Sequence, residues 1–388
     1  MGQQDGIRGM LPREQMHPEA AKLRDVFACK PGAPVIMREF GFYSLERWKR
    51  EEGVDDIWAV LREMGISLQC GHPGQVMLRN FGGCTAQFYP SFEEKVLEDR
   101  GAHELVQDTA GRKVLYFKGR RNGFMPAYID HPVKDRKTFE EQCLWRMDPD
   151  TPERIAETRR QAQAAVPEAK QGKMTEAYIC APYMYLRSLI GPEDLLYMFY
   201  DDPETIHACM RQWYLLNTKT TAVYQEYLTI DDILFDEDIC YNGGLLISPD
   251  MWREFIKPYY QQLLDDIRSR QPDPKRHLYV QIATDGDCRP AIPLYREIGM
   301  DVMSPFEAAS GCDVVAIGRE HPDLVMFGGF DKRILAKGKD AIDREVERIL
   351  PVMKQRGGYI PTCDHGVPEE VPFENWLHFR RRLAEYAI

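Results

Sequence analysis

The chain has 388 residues, 44% of them hydrophobic, with 29 glycines and 26 prolines, which suffices for one large core or two modest ones and excludes disorder or a collagen-like repeat. Its 61 Asp and Glu outnumber 50 Lys and Arg, a formal charge of -11, so there is no basic footprint for a nucleic-acid backbone or an anionic membrane. No apolar run of about 18 residues could span a bilayer and residues 1–19 are polar, which reads as a cytoplasmic protein.

In chain order, residues 1–32 are expected as an extension ahead of a first strand at 33–37. Residues 103–107 and 113–117 flank Asp108-Thr109-Ala110-Gly111, a hairpin signature, and are expected within an insertion at about 85–130. Thr151-Pro152 opens a helix, residues 175–180 read as a strand, and 202–218 as a helix starting near Pro203.

From about residue 230 one syntax repeats: a short β-rich run, a polar turn, an amphipathic stretch. The runs are 232–236, 278–283, 301–304, 324–327 and 358–361, with the continuous hydrophobicity of parallel strands covered on both faces. Ser248-Pro249 caps a helix whose Met251, Phe255, Tyr259, Leu263 and Ile267 share one face. Gly299 ends another helix, and 340–354 forms a last one before Gly357-Gly358. About eight strands predict a single domain, 1–388, built as a (β/α)8 barrel with the hairpin inserted in its N-terminal half; an open doubly wound sheet is the alternative.

Ten cysteines are spread along the chain without a Cys-x-x-Cys pair, which reads as reduced thiols in core positions rather than a zinc ribbon or redox pair. Cys70-Gly71-His72 has ligand-pair spacing but no third partner nearby. Each of the last five runs instead ends in a carboxylate: Asp236-Glu237-Asp238, Asp285 with Asp287, Glu307, Asp331 and Asp364-His365. Each alone is an ordinary turn former or cap. In a barrel all five tips converge on one rim, and carboxylates so gathered imply shared protons, a cationic partner or a metal ion. Arg38 and Lys332 are the available cations, and His365 offers a nitrogen ligand or proton shuttle. Phe40, Phe42, Tyr241 and Phe306 near the tips suit either core packing or an aromatic ligand.

Residues 33–38, 243–249, 284–287, 328–332 and 364–368 together resemble the uroporphyrinogen decarboxylase superfamily, which also contains cobalamin-dependent methyltransferases. The resemblance implies a barrel with its pocket at the strand tips. In the true decarboxylases the first strand leads into Met-Arg-Gln-Ala-Gly-Arg-Tyr, whose two arginines hold the carboxylate arms of the tetrapyrrole. Here the segment is Met37-Arg38-Glu39-Phe40-Gly41-Phe42-Tyr43, with one arginine kept and an acid added. A pocket poor in arginine and rich in acid argues against an octacarboxylate substrate. The thiol-methylating members hold zinc with a His-x-Cys pair and a final Cys, and these positions become Ala283, Asp285 and His365. The resemblance therefore implies a harder centre of Asp285, Glu307 and His365, able to bind Zn2+, and a demethylating enzyme acting on an ether-like donor.

The expected function is methyl transfer from a small, aromatic-ether type donor to a cobalamin carried by a separate corrinoid protein. Asp285 and His365 form the metal or acid centre, Glu237 and Glu307 support it, and Asp364-His365 protonates the leaving oxygen if no metal binds. Arg38, Asp331 and Phe306 would contact substrate. A homodimer is compatible with this reading. The alternatives are a decarboxylase of a small acid or porphyrinogen on the same barrel, and a non-catalytic small-molecule-binding barrel.

Overall fold

The computed structural model describes residues 10–68, 72–79, 83, 85–119, 121 and 126–387. Cys70 and Gly71 of the ligand-spaced triplet lie outside them, as does Cys84.

The strands are β1 (Arg38–Glu39), β2 (Ser67–Leu68), β3 (Gln75–Arg79), β4 (Lys95–Arg100), β5 (His103–Gln107), β6 (Lys113–Phe117), β7 (Ala127–Asp130), β8 (Met174–Cys180), β9 (Asp232–Asp236), β10 (Cys240–Tyr241), β11 (Gly244–Leu245), β12 (Tyr279–Ala283), β13 (Val302–Ser304), β14 (Val325–Phe327) and β15 (Tyr359–Ile360). Seven form a parallel sheet in the order β15-β14-β13-β12-β9-β8-β3. The connections from β8 onward carry helices, including Pro203–Gln225, Lys257–Arg270 and Lys339–Arg356. The five runs of the second half became β9, β12, β13, β14 and β15, because Val, Ile, Leu and Phe there are buried by helices outside and neighbouring strands inside.

The first half departs from expectation. The first strand is Arg38–Glu39 rather than 33–37, and it pairs in parallel with β2. Among the described residues no ladder joins β2 to β3 or β15 to β1, so the parallel sheet is not hydrogen-bonded into a closed barrel. On the β15–β1 side the joins lie past the strand ends: the Phe40 amide donates to Thr362 Oγ1 at 3.2 Å, Thr362 donates to Glu39, and Phe42 and Val367 form an isolated parallel bridge. The expected hairpin strands, β5 and β6, pair antiparallel inside a four-stranded sheet, β4-β5-β6-β7.

Two features fix the strand tips. The helix Pro18–Phe27 packs Ala20, Leu23, Val26 and Phe27 against Met174, Tyr279, Val302 and Val325, the opening residues of β8, β12, β13 and β14. It thus covers the end opposite the tips. At the tips, Gly328 has φ 111°, and a Cβ there would collide with the Pro305 carbonyl, so glycine alone lets the β14 tip lie against the β13 tip.

A polar layer sits inside the sheet below the tips. Gln75 donates to Glu176 at 2.9 Å and to Asp232 at 3.3 Å, and Gln281 donates to both. Burial pushes the Asp232 and Glu176 carboxyls up, and for Asp232 the charge of Glu176 adds to this.

Candidate functional site

Five of the expected side chains meet where β12, β13, β14 and β15 end. His365 Nε2 lies 3.4 Å from Asp285 Oδ2. Glu307 accepts from the Gly286 amide at 2.9 Å and from Lys332 Nζ at 3.1 Å. Lys332 Nζ also lies 3.5 Å from Asp364, which is buried and accepts from the Ala308 and Lys332 amides at 2.9 and 3.0 Å. Asp364 is thus a brace that ties the β13 and β14 tips to β15, not a group facing the cavity.

Burial alone would lower the His365 pKa, but the hydrogen bond and charge of Asp285, with Glu307 behind, outweigh it and hold the imidazole above 6.5. Lys332 is likewise penalised by burial, yet Asp364, Glu307 and Asp285 keep it charged. Tyr43 and Phe40, from the segment after β1, enclose the imidazole. The Tyr43 hydroxyl lies 3.2 Å from His365 Nδ1 and its ring stacks at 5.7 Å, while the Phe40 ring lies at 4.7 Å.

Asp285 and His365 line a cavity of about 470 Å3 with Arg112, Tyr128, His131, Met184, Arg187 and Asp238. A second cavity of about 240 Å3 shares Met184, Asp238, Asp285 and His365 and reaches Phe40 and Pro305. The site is therefore not poor in arginine, as the first-strand segment had suggested. Arg112, beside the hairpin turn, pairs with Asp108 at 2.7 Å and lies 4.6 Å from the Tyr128 ring centroid. Arg187, on the helix Pro182–Ile190, pairs with Asp238 at 2.8 Å. Asp108-Thr109-Ala110-Gly111 marked the turn beside Arg112, but no local signal showed that it reaches the cavity.

The other expected site residues have structural places. Arg38 is 3% exposed, faces Glu176 and Asp232 and lies 5.0 Å from the Phe327 ring centroid, inside the sheet. Asp331 turns to Arg333, with both carboxylate oxygens held at 2.8 Å, and caps the turn Lys332–Lys337. Phe306 is fully buried in the core with φ 59°. Glu237 is fully buried and accepts from the Tyr183 amide at 2.8 Å and from the Tyr260 hydroxyl.

Burial pushes the Glu237 carboxyl up to about 8, so it is neutral in the folded protein at pH 7. Since its folded pKa exceeds the unfolded value of 4.5, the stabilisation is complete below 4.5 and is lost as pH rises towards about 8. In urea melts across this window, wild-type stability should fall relative to Glu237→Gln, by roughly 1.4 kcal/mol per pH unit at most. Parallel curves for the two proteins would show that Glu237 is ionised in the fold.

The zinc set expected from Asp285, Glu307 and His365 does not fit a metal ion. Both Glu307 oxygens are engaged, one by the Lys332 ammonium, and among the described residues no three His, Cys, Asp or Glu side chains gather as a metal cage. Lys332 supplies the positive charge that the carboxylates require.

Among solved structures, a methyltransferase from Methanosarcina mazei superposes with TM-score 0.56 at 13% identity, covering 95% of this chain and 99% of that one, which is a likeness of fold. The uroporphyrinogen decarboxylase of Geotalea daltonii is 26% identical over 265 residues, 66% of this chain and 72% of its own length. That of Geobacter sulfurreducens is 24% identical over 270 residues, 67% and 73% of the two chains. No helix among the described residues is long and apolar enough to cross a membrane. The family model for uroporphyrinogen decarboxylase (URO-D) matches residues 122–386, more than half the chain and the whole run from β7 to the last helix, and the chain belongs to that family.

Proposed function

We propose that this chain is a methyltransferase that takes a methyl group from a small aromatic-ether type donor and passes it to cobalamin on a partner corrinoid protein. The observation that carries the reading is the Asp285–His365 pair at the cavity wall, where the carboxylate raises the imidazole pKa against the effect of burial. The corrinoid supplies the nucleophile for the methyl carbon. His365 delivers its proton to the leaving oxygen as the carbon–oxygen bond breaks, so an alcohol or phenol departs rather than its anion. Asp285 holds the imidazole and stabilises its charge. Phe40, Met184 and Tyr128 give the donor an apolar bed.

Porphyrinogen decarboxylation is disfavoured by the fate of the first-strand segment. Phe42, at the place of the second family arginine, packs between Trp48 and Trp376 at 5.5 and 5.3 Å, and Arg38 is withdrawn inside the sheet. Arg112 and Arg187 favour a second reading, a decarboxylase of a smaller acid, in which His365 protonates the carbanion.

The two readings separate in one experiment. The protein is incubated with a methyl-labelled methoxyarene and a reduced corrinoid protein, and in parallel with carboxyl-labelled aromatic acids. Label on the corrinoid with no released carbon dioxide supports methyl transfer. Carbon dioxide released without any corrinoid protein overturns it.

A further inference from the structure

His365 is more tightly enclosed than Asp285 alone requires. Its Nε2 faces Asp285 at 3.4 Å, while its Nδ1 lies 3.2 Å from the hydroxyl of Tyr43. The Tyr43 ring is parallel to the imidazole within 13°, with Phe40 over the ring at 4.7 Å. The segment after β1 has been placed to achieve this. The Tyr43 amide donates to the Val367 carbonyl at 2.9 Å, the Val367 amide to the Gly41 carbonyl at 2.8 Å, and Phe42 and Val367 form a parallel bridge. Gly366 leaves the space that Tyr43 fills: a Cβ there would lie 2.9 Å from Tyr43 Cε2.

A phenol facing Nδ1 and a carboxylate facing Nε2 make the two nitrogens unequal. The carboxylate can only accept, so it selects the proton on Nε2, and the hydroxyl can donate to the Nδ1 lone pair that this leaves. We propose that Tyr43 is a positioning residue for His365: in the neutral imidazole its hydroxyl fixes the Nε2–H tautomer, and its ring fixes the imidazole plane. The proposal rests on the reading of His365 as the proton donor, but its main test does not.

The test uses the full-length protein labelled with 15N-histidine, with the His365 signals assigned by their loss in His365→Gln. In the neutral imidazole, wild type should show the Nε2–H pattern. Tyr43→Phe keeps the stacked ring and removes the hydroxyl, and should shift His365 towards a mixture of tautomers. Gly366→Ala keeps the hydroxyl but displaces the ring, and should give a similar change. If methyl transfer is established, Tyr43→Phe should lower kcat about fivefold, the worth of one hydrogen bond, with KM within about twofold of wild type. A wild-type His365 pattern in both variants overturns the proposal, as does a change confined to KM. Absence of methyl transfer in the wild type, with the tautomer change present, would remove the functional reading and leave the role of Tyr43 standing.

Discussion

His365→Gln should lower methyl transfer by roughly a thousandfold while leaving the urea midpoint near that of wild type. Glutamine approximates the size and polarity of imidazole but cannot give up a proton, and general acids contribute about 100- to 10,000-fold. The side chain contacts Asp285, Tyr43 and Phe40 at the cavity wall rather than core residues, so its loss costs the fold little. Asp285→Asn should act differently. Asp285 is what raises the imidazole pKa, so its removal lets burial prevail and the pKa falls. The fraction of charged His365 at neutral pH then drops, and the high-pH limit of activity moves to lower pH. Stopped-flow corrinoid methylation at several pH values distinguishes the two effects, and unchanged turnover in either variant removes that residue from the mechanism.

Arg380→Met should destabilise the protein by about 3–5 kcal/mol in urea denaturation, because it strands a buried carboxylate. Arg380 and Glu39 both have fully buried side chains, 3.5 Å apart. Glu39 also accepts from Trp376 Nε1 at 2.9 Å, from the Phe40 amide at 3.0 Å and from Thr362. One carboxylate thus ties β1, the β15 tip and the last helix, Phe373–Ala384, into the frame that carries Phe40, Tyr43 and His365. Glu39→Gln in the Arg380→Met background should recover only part of the loss, since it removes the charge but leaves one donor, such as the Trp376 Nε1–H or the Phe40 amide, facing the new NH2 group. A loss below about 1 kcal/mol in Arg380→Met alone would mean that Glu39 is not held as a buried ion.

These two sites mark what was legible in the sequence. Strands β9 and β12 to β15 were readable because apolar runs buried on both faces leave an unmistakable pattern, and so was the meeting of Asp285, Glu307 and His365, which follows from parallel strands ending on one side. The first strand was misplaced by several residues because Arg38 and Glu39 are charged yet fully enclosed, and periodicity counts such residues as exposed. The same limit governs the acids. Glu237, Glu39 and Asp364 read as pocket carboxylates, but each is consumed by buried donors, and pairing of that kind is a tertiary fact. Arg112 and Arg187 were missed because a hairpin turn and the last turn of a helix bring them to a cavity that the five tips do not by themselves define.

The central claim is that a charged His365 gives its proton to the leaving group, and the single-turnover rate of corrinoid methylation as a function of pH tests it most directly. The account predicts a wild-type rate that falls about tenfold per pH unit above the pKa of the imidazole, and a slow, flat profile in His365→Gln. A wild-type rate that stays level well above that pKa, or a His365→Gln profile with the same descent, would contradict it.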